Sequence, residues 1–300
     1  MHFFQKWFMA ARAETALLAI LSIGLGNALA VFAGTFNKGV SLLATLTAIL
    51  LQLVCNLAND CGDMARGADY INVVKPPSAL QAGLVTLSQV KWAMLLLVTL
   101  TSGLGLWLLH QATLPMMSYS FFVFLGMTAI TAAVGYTLGD RPYGYEGWGD
   151  LAVFAFFGVV GVGGTFYLHT QRLSGLWLLP AVSYGSLAVA VLNLNNIRDH
   201  DADMQVGKRT LPVQYGLAWA IRYHRLLLIS ALVSAVIFTM LHYQSPYQWG
   251  FVAAVPLLLQ NGYAVGHTKA EQLTPQLERA IKAAVIFAVF LGAGLVAAVQ

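Results

Sequence analysis

Charge is what this chain has least of. Only 9% of its 300 residues are Asp, Glu, Lys or Arg, against 58% hydrophobic. A water-soluble domain usually carries about 25% charged residues, so this chain cannot clothe a water-facing surface of ordinary composition. Cysteine is nearly absent too. The pair, Cys55 and Cys61, has neither the spacing of a C-x-x-C metal or redox site nor the number of a disulfide framework. Strict alternation of apolar and polar residues over segments of about ten, the mark of an outer-membrane barrel strand, does not occur. No dense basic cluster is present, which argues against nucleic-acid binding.

What is present is long apolar runs, with a mean hydropathy of +0.70. A membrane-crossing helix needs about 20 predominantly apolar residues. Nine runs approach that length: Thr15–Gly34, Val40–Ala58, Trp92–Leu109, Tyr119–Leu138, Leu151–Thr170, Leu176–Leu194, Leu226–Leu241, Trp249–Val265 and Ala280–Val299. They predict an all-α, polytopic membrane protein, a single domain over residues 1–300 built as a nine-helix transmembrane bundle. Residues 1–12 carry Phe3, Phe4, Trp7 and Phe8 with Lys6 and Arg12. They read as an interfacial amphipathic helix rather than a cleavable signal.

Nine crossings sort the loops onto two sides. Fourteen of the sixteen Lys and Arg fall on one side; only Lys38 and Arg172 fall on the other. The positive-inside rule makes the first side cytoplasmic, in the inner or plasma membrane. All twelve Asp and Glu fall on that side as well, which the rule does not require of acids.

The acids cluster twice. The segment Asn56–Asp69, reading NLANDCGDMARGAD, follows the second run. The segment Asn193–Asp203, reading NLNNIRDHDAD, follows the sixth. Asp60 and Asp63 are three apart and Asp199 and Asp203 four apart, so each pair shares a helix face, while Asp201 points elsewhere. Gly62 and Gly67 are expected to bend the chain and bring Asp69 back. Carboxylates at helix ends suit Mg²⁺, which commonly binds through one or two carboxylates plus substrate phosphate. Two clusters on one side can hold a diphosphate between them, with Arg198, Lys208 and Arg209 as cations for its oxygens. The alternatives are solvated loop acids paired with nearby Arg and Lys, or an ion-coupled transporter. Transport sites usually lie near the bilayer midplane, whereas these acids sit at helix ends.

Three segments resemble the UbiA superfamily of intramembrane aromatic prenyltransferases: Asn56–Asp69, Tyr136–Asp150 (YTLGDRPYGYEGWGD) and Leu194–Gly216 (LNNIRDHDADMQVGKRTLPVQYG). The second, with details of the third, is most similar to the branch that prenylates 1,4-dihydroxy-2-naphthoate in menaquinone biosynthesis. The resemblance implies a helical bundle around a central cavity, a polyprenyl diphosphate donor, an aromatic acceptor and Mg²⁺. It implies that Asp60, Asp63, Asp199 and Asp203 are the metal-binding and catalytic carboxylates. Asn59, Asn196 and Asp69 would assist them, and Arg198 and Lys208 would contact diphosphate. Tyr143 and Tyr145 stand where the family contacts donor or acceptor; interfacial anchoring is the competing role. The reaction implied is loss of diphosphate, attack by the aromatic ring and loss of CO₂ from the same ring carbon, giving a demethylmenaquinone precursor. The Gly158–Gly164 stretch either leaves room for the prenyl chain or packs helices closely, with packing preferred.

The chain departs from that branch at two places. Arg12-Ala13-Glu14 stands where the branch has Arg-Pro-Lys, and Val73, Lys75 and Ser78 stand in a segment that there carries two arginines. Lys75 offers the remaining cation for substrate. A different aromatic acceptor is therefore the alternative within the enzyme class, and a non-catalytic isoprenoid-binding protein the alternative outside it.

Overall fold

A computed structural model describes residue 7 and residues 12–71, 77–172 and 174–300. The side chains of Ala13, Asp69, Tyr70 and Glu271 also lie outside that description. The expected interfacial helix at residues 1–12 therefore falls almost wholly outside the described residues, as do Val73 and Lys75.

The regular structure among the described residues is all helical, with no strand among them. The main helices are α1 (Ala13–Phe32), α2 (Lys38–Ala65), α3 (Leu87–Gln111), α4 (Met116–Gly135), α5 (Gly149–Thr170), α6 (Leu178–Arg198), α7 (Leu217–Leu241), α8 (Val255–Ala264) and α9 (Thr274–Ala297). Among the described residues, eight helices are long and apolar enough to cross a membrane. The protein is a multi-pass membrane protein.

The segment expected as the span Trp249–Val265 is not one of those eight. It is a 3₁₀ helix, Pro246–Ala254, running into α8. The physical cause is Pro256, which the apolar count ignores. Proline has no N–H and its ring clashes with the carbonyl four residues back, so a continuous α-helix cannot pass through it. Nine residues rising about 2 Å each and ten rising about 1.5 Å give roughly 33 Å, still enough to cross a hydrocarbon layer of about 30 Å.

Local chemistry sets several of the helix starts. Asn37 accepts hydrogen bonds from the amides of Gly39 and Val40 to begin α2. Thr86 and Gln89 form a reciprocal capping box at α3, and Ser245 and Gln248 form another at the 3₁₀ segment.

The centre of the bundle is α6, which packs against α5, α7 and α9. Its residues from Ser183 to Val191 are all buried, so it has no lipid-facing side over two turns. Tyr184 donates to the Leu18 carbonyl at 2.7 Å and Ser183 to the Ala231 carbonyl at 2.7 Å, tying α6 to α1 and α7. The main core gathers Tyr184, Phe238, Phe251 and Phe287 from four different segments. By contrast α3 and α4 expose Trp92, Leu96, Trp107, Phe121 and Phe124, as lipid-facing helices do.

In α5 the stretch Phe154–Gly164 is a π-helix. A Cβ at Gly158 would lie 2.6 Å from the Ala181 carbonyl, so these glycines allow α5 to press on α6, as the packing reading expected. Cys55 and Cys61 are both free thiols.

Candidate active site

The two acidic clusters stand at one end of the bundle. The first is not in a loop. At 28 residues, α2 is about 42 Å long, longer than the hydrocarbon layer of about 30 Å, and the cluster lies on its last turns. Asn59, Asp60 and Asp63 sit on those turns. The bend expected at Gly62 is absent, because Gly62 is inside the helix. A Cβ there would lie 2.6 Å from the carbonyl oxygen of Thr137, so this glycine serves the close approach of α2 to the end of α4. Gly67, with φ of 74°, makes the turn that ends α2.

The second cluster straddles the end of α6. Asn193, Asn196 and Arg198 are buried on its last turns, Asp199 caps it, and Asp203 lies in the short helix His200–Gln205. That helix touches the short helix Ala68–Ile71 that follows α2, which brings the clusters together.

Each carboxylate has a defined partner. Asp60, 2% exposed, is ion-paired with Arg12. Asp63 accepts a hydrogen bond from the Tyr145 hydroxyl at 3.0 Å. Asp199 is held bidentately by Arg198, at 2.7 and 2.8 Å. Asp203 faces Lys208 at 3.5 Å. The Tyr145 ring is flanked by two cations, with the Arg66 guanidinium 4.9 Å and the Lys208 ammonium 5.4 Å from its centroid. The Arg209 amide donates to the Tyr145 carbonyl at 2.7 Å, which locks the α4–α5 loop to the segment after α6. Thr137 donates to Asn59 Oδ1 at 3.2 Å.

The electrostatics follow from burial. Asp203 is pushed up to about 6 by desolvation, with Asp199 and Asp63 adding to the rise and Lys208 opposing it. Burial alone would lower the Lys208 ammonium, but Asp203 and Asp63 beside it raise it above the ordinary lysine value. Burial, with Asp63 alongside, likewise raises the Tyr145 phenol. Lys208 thus stays charged and Tyr145 stays a donor.

Tyr143 is not in this group. Its hydroxyl donates to the Ala132 carbonyl at 2.9 Å, and its ring meets Tyr136 edge-on. Asp201 pairs with His200 at the surface. Ser78, one of the positions that lack a basic residue, is buried in a turn where it and Gln81 bond each other's amides, at 3.1 and 3.3 Å. Glu14 is exposed. Sequence reasoning missed Arg12 as the partner of Asp60, although Arg12 opens the Arg-Ala-Glu motif.

The UbiA prenyltransferase family matches residues 17–277. The chain belongs to the UbiA prenyltransferase family. One family member, the 1,4-dihydroxy-2-naphthoate octaprenyltransferase of Escherichia coli (strain K12), is 40% identical over 283 residues, covering 94% of this chain and 92% of that protein. The protein of the same name from Haemophilus influenzae is 40% identical over 263 residues, 87% and 85% of the two chains. A UbiA homolog from Archaeoglobus fulgidus, solved bound to DMAPP and Mg²⁺, superposes with a TM-score of 0.67 over 97% of this chain and 99% of that one. At 12% identity this likeness concerns the fold of UbiA proteins.

The donor set suits a hard cation: four carboxylates and two side-chain amides, with Asp203 Oδ2 buried and without a hydrogen-bond partner. Among the described residues, no three His, Cys, Asp or Glu side chains already converge as a ligand cluster. The carboxylates are instead distributed among Arg12, Tyr145, Arg198 and Lys208.

Proposed function

We propose that this protein transfers a polyprenyl group from polyprenyl diphosphate to 1,4-dihydroxy-2-naphthoate, releasing diphosphate and CO₂ and forming a demethylmenaquinone precursor. The observation that carries the proposal is the meeting of the two acidic clusters around Lys208 and Tyr145 at one end of an apolar bundle. The relatives' names supply the acceptor. Asp60, Asp63, Asp199 and Asp203, assisted by Asn59 and Asn196, would hold Mg²⁺. When bound, that ion supplies positive charge that stabilises the departing diphosphate.

The chain's own residues do the rest. Lys208 and Arg198, with Arg66 nearby, offer fixed cations to phosphate oxygens. Tyr145 orients Asp63. The apolar helices behind the clusters receive the prenyl chain and exclude water, which would otherwise capture an allylic cation. By charge distribution the clusters face the cytoplasm across the plasma membrane. Asp69 and Lys75 are proposed as further donor contacts.

An altered acceptor is the reading suggested by Glu14, Val73 and Ser78, of which Val73 lies outside the described residues. Glu14 is exposed and Ser78 closes a turn, so neither argues for it. The acids' place at the end of the bundle favours transfer chemistry over transport.

The test is Mg²⁺-dependent transfer by purified protein in liposomes, with radiolabelled polyprenyl diphosphate and 1,4-dihydroxy-2-naphthoate, beside Asp60→Ala and Asp199→Ala. A decarboxylated prenyl-naphthoquinol, lost in both variants, is the expected result. Diphosphate release without that product would overturn the acceptor assignment. No diphosphate release at all would overturn the enzyme.

A further inference from the structure

One acid of the Tyr136–Asp150 segment has no part in the diphosphate site. Asp150 opens α5 and is 7% exposed, and its Oδ2 is buried without a hydrogen-bond partner. Leaving a buried carboxylate oxygen unpaired is costly, and the cost falls if a ligand completes it. The phenol of Tyr223 on α7 is close enough to the same carboxyl group to interact with it electrostatically. Tyr223 is held in place from one side, since its ring stacks on Trp219 at 4.9 Å and Trp219 in turn meets Tyr215 at 4.9 Å.

Tyr136 is a second tyrosine near Asp150. A Cβ at Gly149 would lie 2.9 Å from the Tyr136 hydroxyl, so the glycine before Asp150 is what lets that phenol approach. Tyr136 is also the link to the diphosphate site: it is within electrostatic reach of Lys208 and Asp63 as well as Asp150. Both tyrosines are half-buried, whereas Asp150 itself is buried. A planar, hydroxyl-bearing ring is the chemical complement of these groups. Aromatic faces receive it, and an unpaired carboxylate oxygen accepts its O–H.

We infer that Asp150, flanked by Tyr136 and Tyr223, binds the aromatic acceptor through a ring hydroxyl and takes that hydroxyl's proton during transfer. The inference rests on the transferase reading above. The hydroxyl next to the carboxylate-bearing carbon gives its proton to Asp150 Oδ2. The electron pair left on oxygen moves into the ring, and that carbon forms a bond to C1 of the prenyl group. The C1–oxygen bond breaks with its electrons on diphosphate. Loss of CO₂ from the same ring carbon returns an electron pair to the ring and its oxygen, which recovers the proton from Asp150. One proton is borrowed and returned, and no oxidant is required.

The test uses full-length protein in lipid nanodiscs. Binding of 1,4-dihydroxy-2-naphthoate without donor is followed by tryptophan quenching, and turnover is followed with Mg²⁺ and polyprenyl diphosphate. Asp150→Asn is expected to weaken acceptor binding about tenfold and lower kcat by about a hundredfold, within the range of general-base effects. Binding of a non-cleavable prenyl diphosphate analogue should stay within twofold. Asp150→Glu should recover part of the rate, and Tyr223→Phe should raise the acceptor KM. Unchanged acceptor binding and turnover in Asp150→Asn would overturn the inference, as would equal loss of donor binding. Should Asp150→Asn not fold, wild-type acceptor KM in Tyr223→Phe together with no activity in a folded Asp150→Glu would overturn it. Failure of the wild-type protein itself to prenylate the naphthoate, while it still binds it, would count against the function proposed above and leave the variants' binding data to decide on Asp150.

Discussion

Tyr143 and Tyr145 are two residues apart, carry the same hydroxyl and were equivalent in the sequence. The structure gives them different work, and removing one oxygen atom from each separates it. Tyr145→Phe deletes a hydrogen bond to a carboxylate, 3.0 Å long and buried, while the ring stays between Arg66 and Lys208. Tyr143→Phe deletes a hydrogen bond to a neutral carbonyl at 2.9 Å. Hydrogen bonds to charged groups contribute about 1.5–3 kcal/mol and neutral ones about 1 kcal/mol. The first figure corresponds to a loss of roughly 10- to 150-fold if it falls on a site that must hold Asp63 in place.

Tyr145→Phe should therefore lower kcat/KM for polyprenyl diphosphate by about that factor and raise the Mg²⁺ concentration needed for half-maximal rate. Tyr143→Phe should keep the wild-type Mg²⁺ dependence and lose about 1 kcal/mol of stability. The assay is diphosphate release across an Mg²⁺ titration, run beside thermal unfolding of the same preparations. Wild-type Mg²⁺ dependence in Tyr145→Phe, or the same shift in both variants, would refute the assignment.

Gly62→Ala places a methyl 2.6 Å from the Thr137 carbonyl, a backbone atom that cannot turn aside. It should cost about 1–3 kcal/mol, the range for overpacking, and displace Asp60 and Asp63 together; thermal unfolding and turnover would both fall, and an unchanged melting temperature would contradict the contact. A pH profile tests Asp203. Its carboxyl is raised to about 6, so it is increasingly protonated as pH falls through that value, and a protonated carboxyl is a poor metal ligand. Turnover should decline on the acid side with a midpoint near 6 at low Mg²⁺, and added Mg²⁺ should compete with the proton and move the midpoint lower. A midpoint insensitive to Mg²⁺ would separate Asp203 from the metal.

The parts of this molecule that were legible in its sequence are those set by solvent. Apolar stretches long enough to cross a bilayer are forced into helices because no water is there to satisfy the backbone, so the spans can be read from composition. The carboxylate pairs could be read because helical spacing puts residues three and four apart on one face. What escaped reading depends on partners far along the chain. Nothing near Asp60 indicates that Arg12, 48 residues away, pairs with it. Gly62 suggests a bend when read locally, and only Thr137, brought in by α4, reveals a packing role. Pro256 interrupts a stretch that an apolar count reads as continuous. Asp150 is the sharpest case. In the sequence it is the last letter of a loop motif; Glu146 stands four residues before it, but Gly147, with φ of 89°, turns the chain between them and the helix begins only at Gly149, so the two acids share no helix face. Its unpaired oxygen and its tyrosine neighbours exist only once α4, α5 and α7 have met. The donor half of the site thus announces itself through local pairs of like charge, which phosphate chemistry demands. The proposed acceptor half is assembled from single residues on three helices, and a sequence has no local pattern for that.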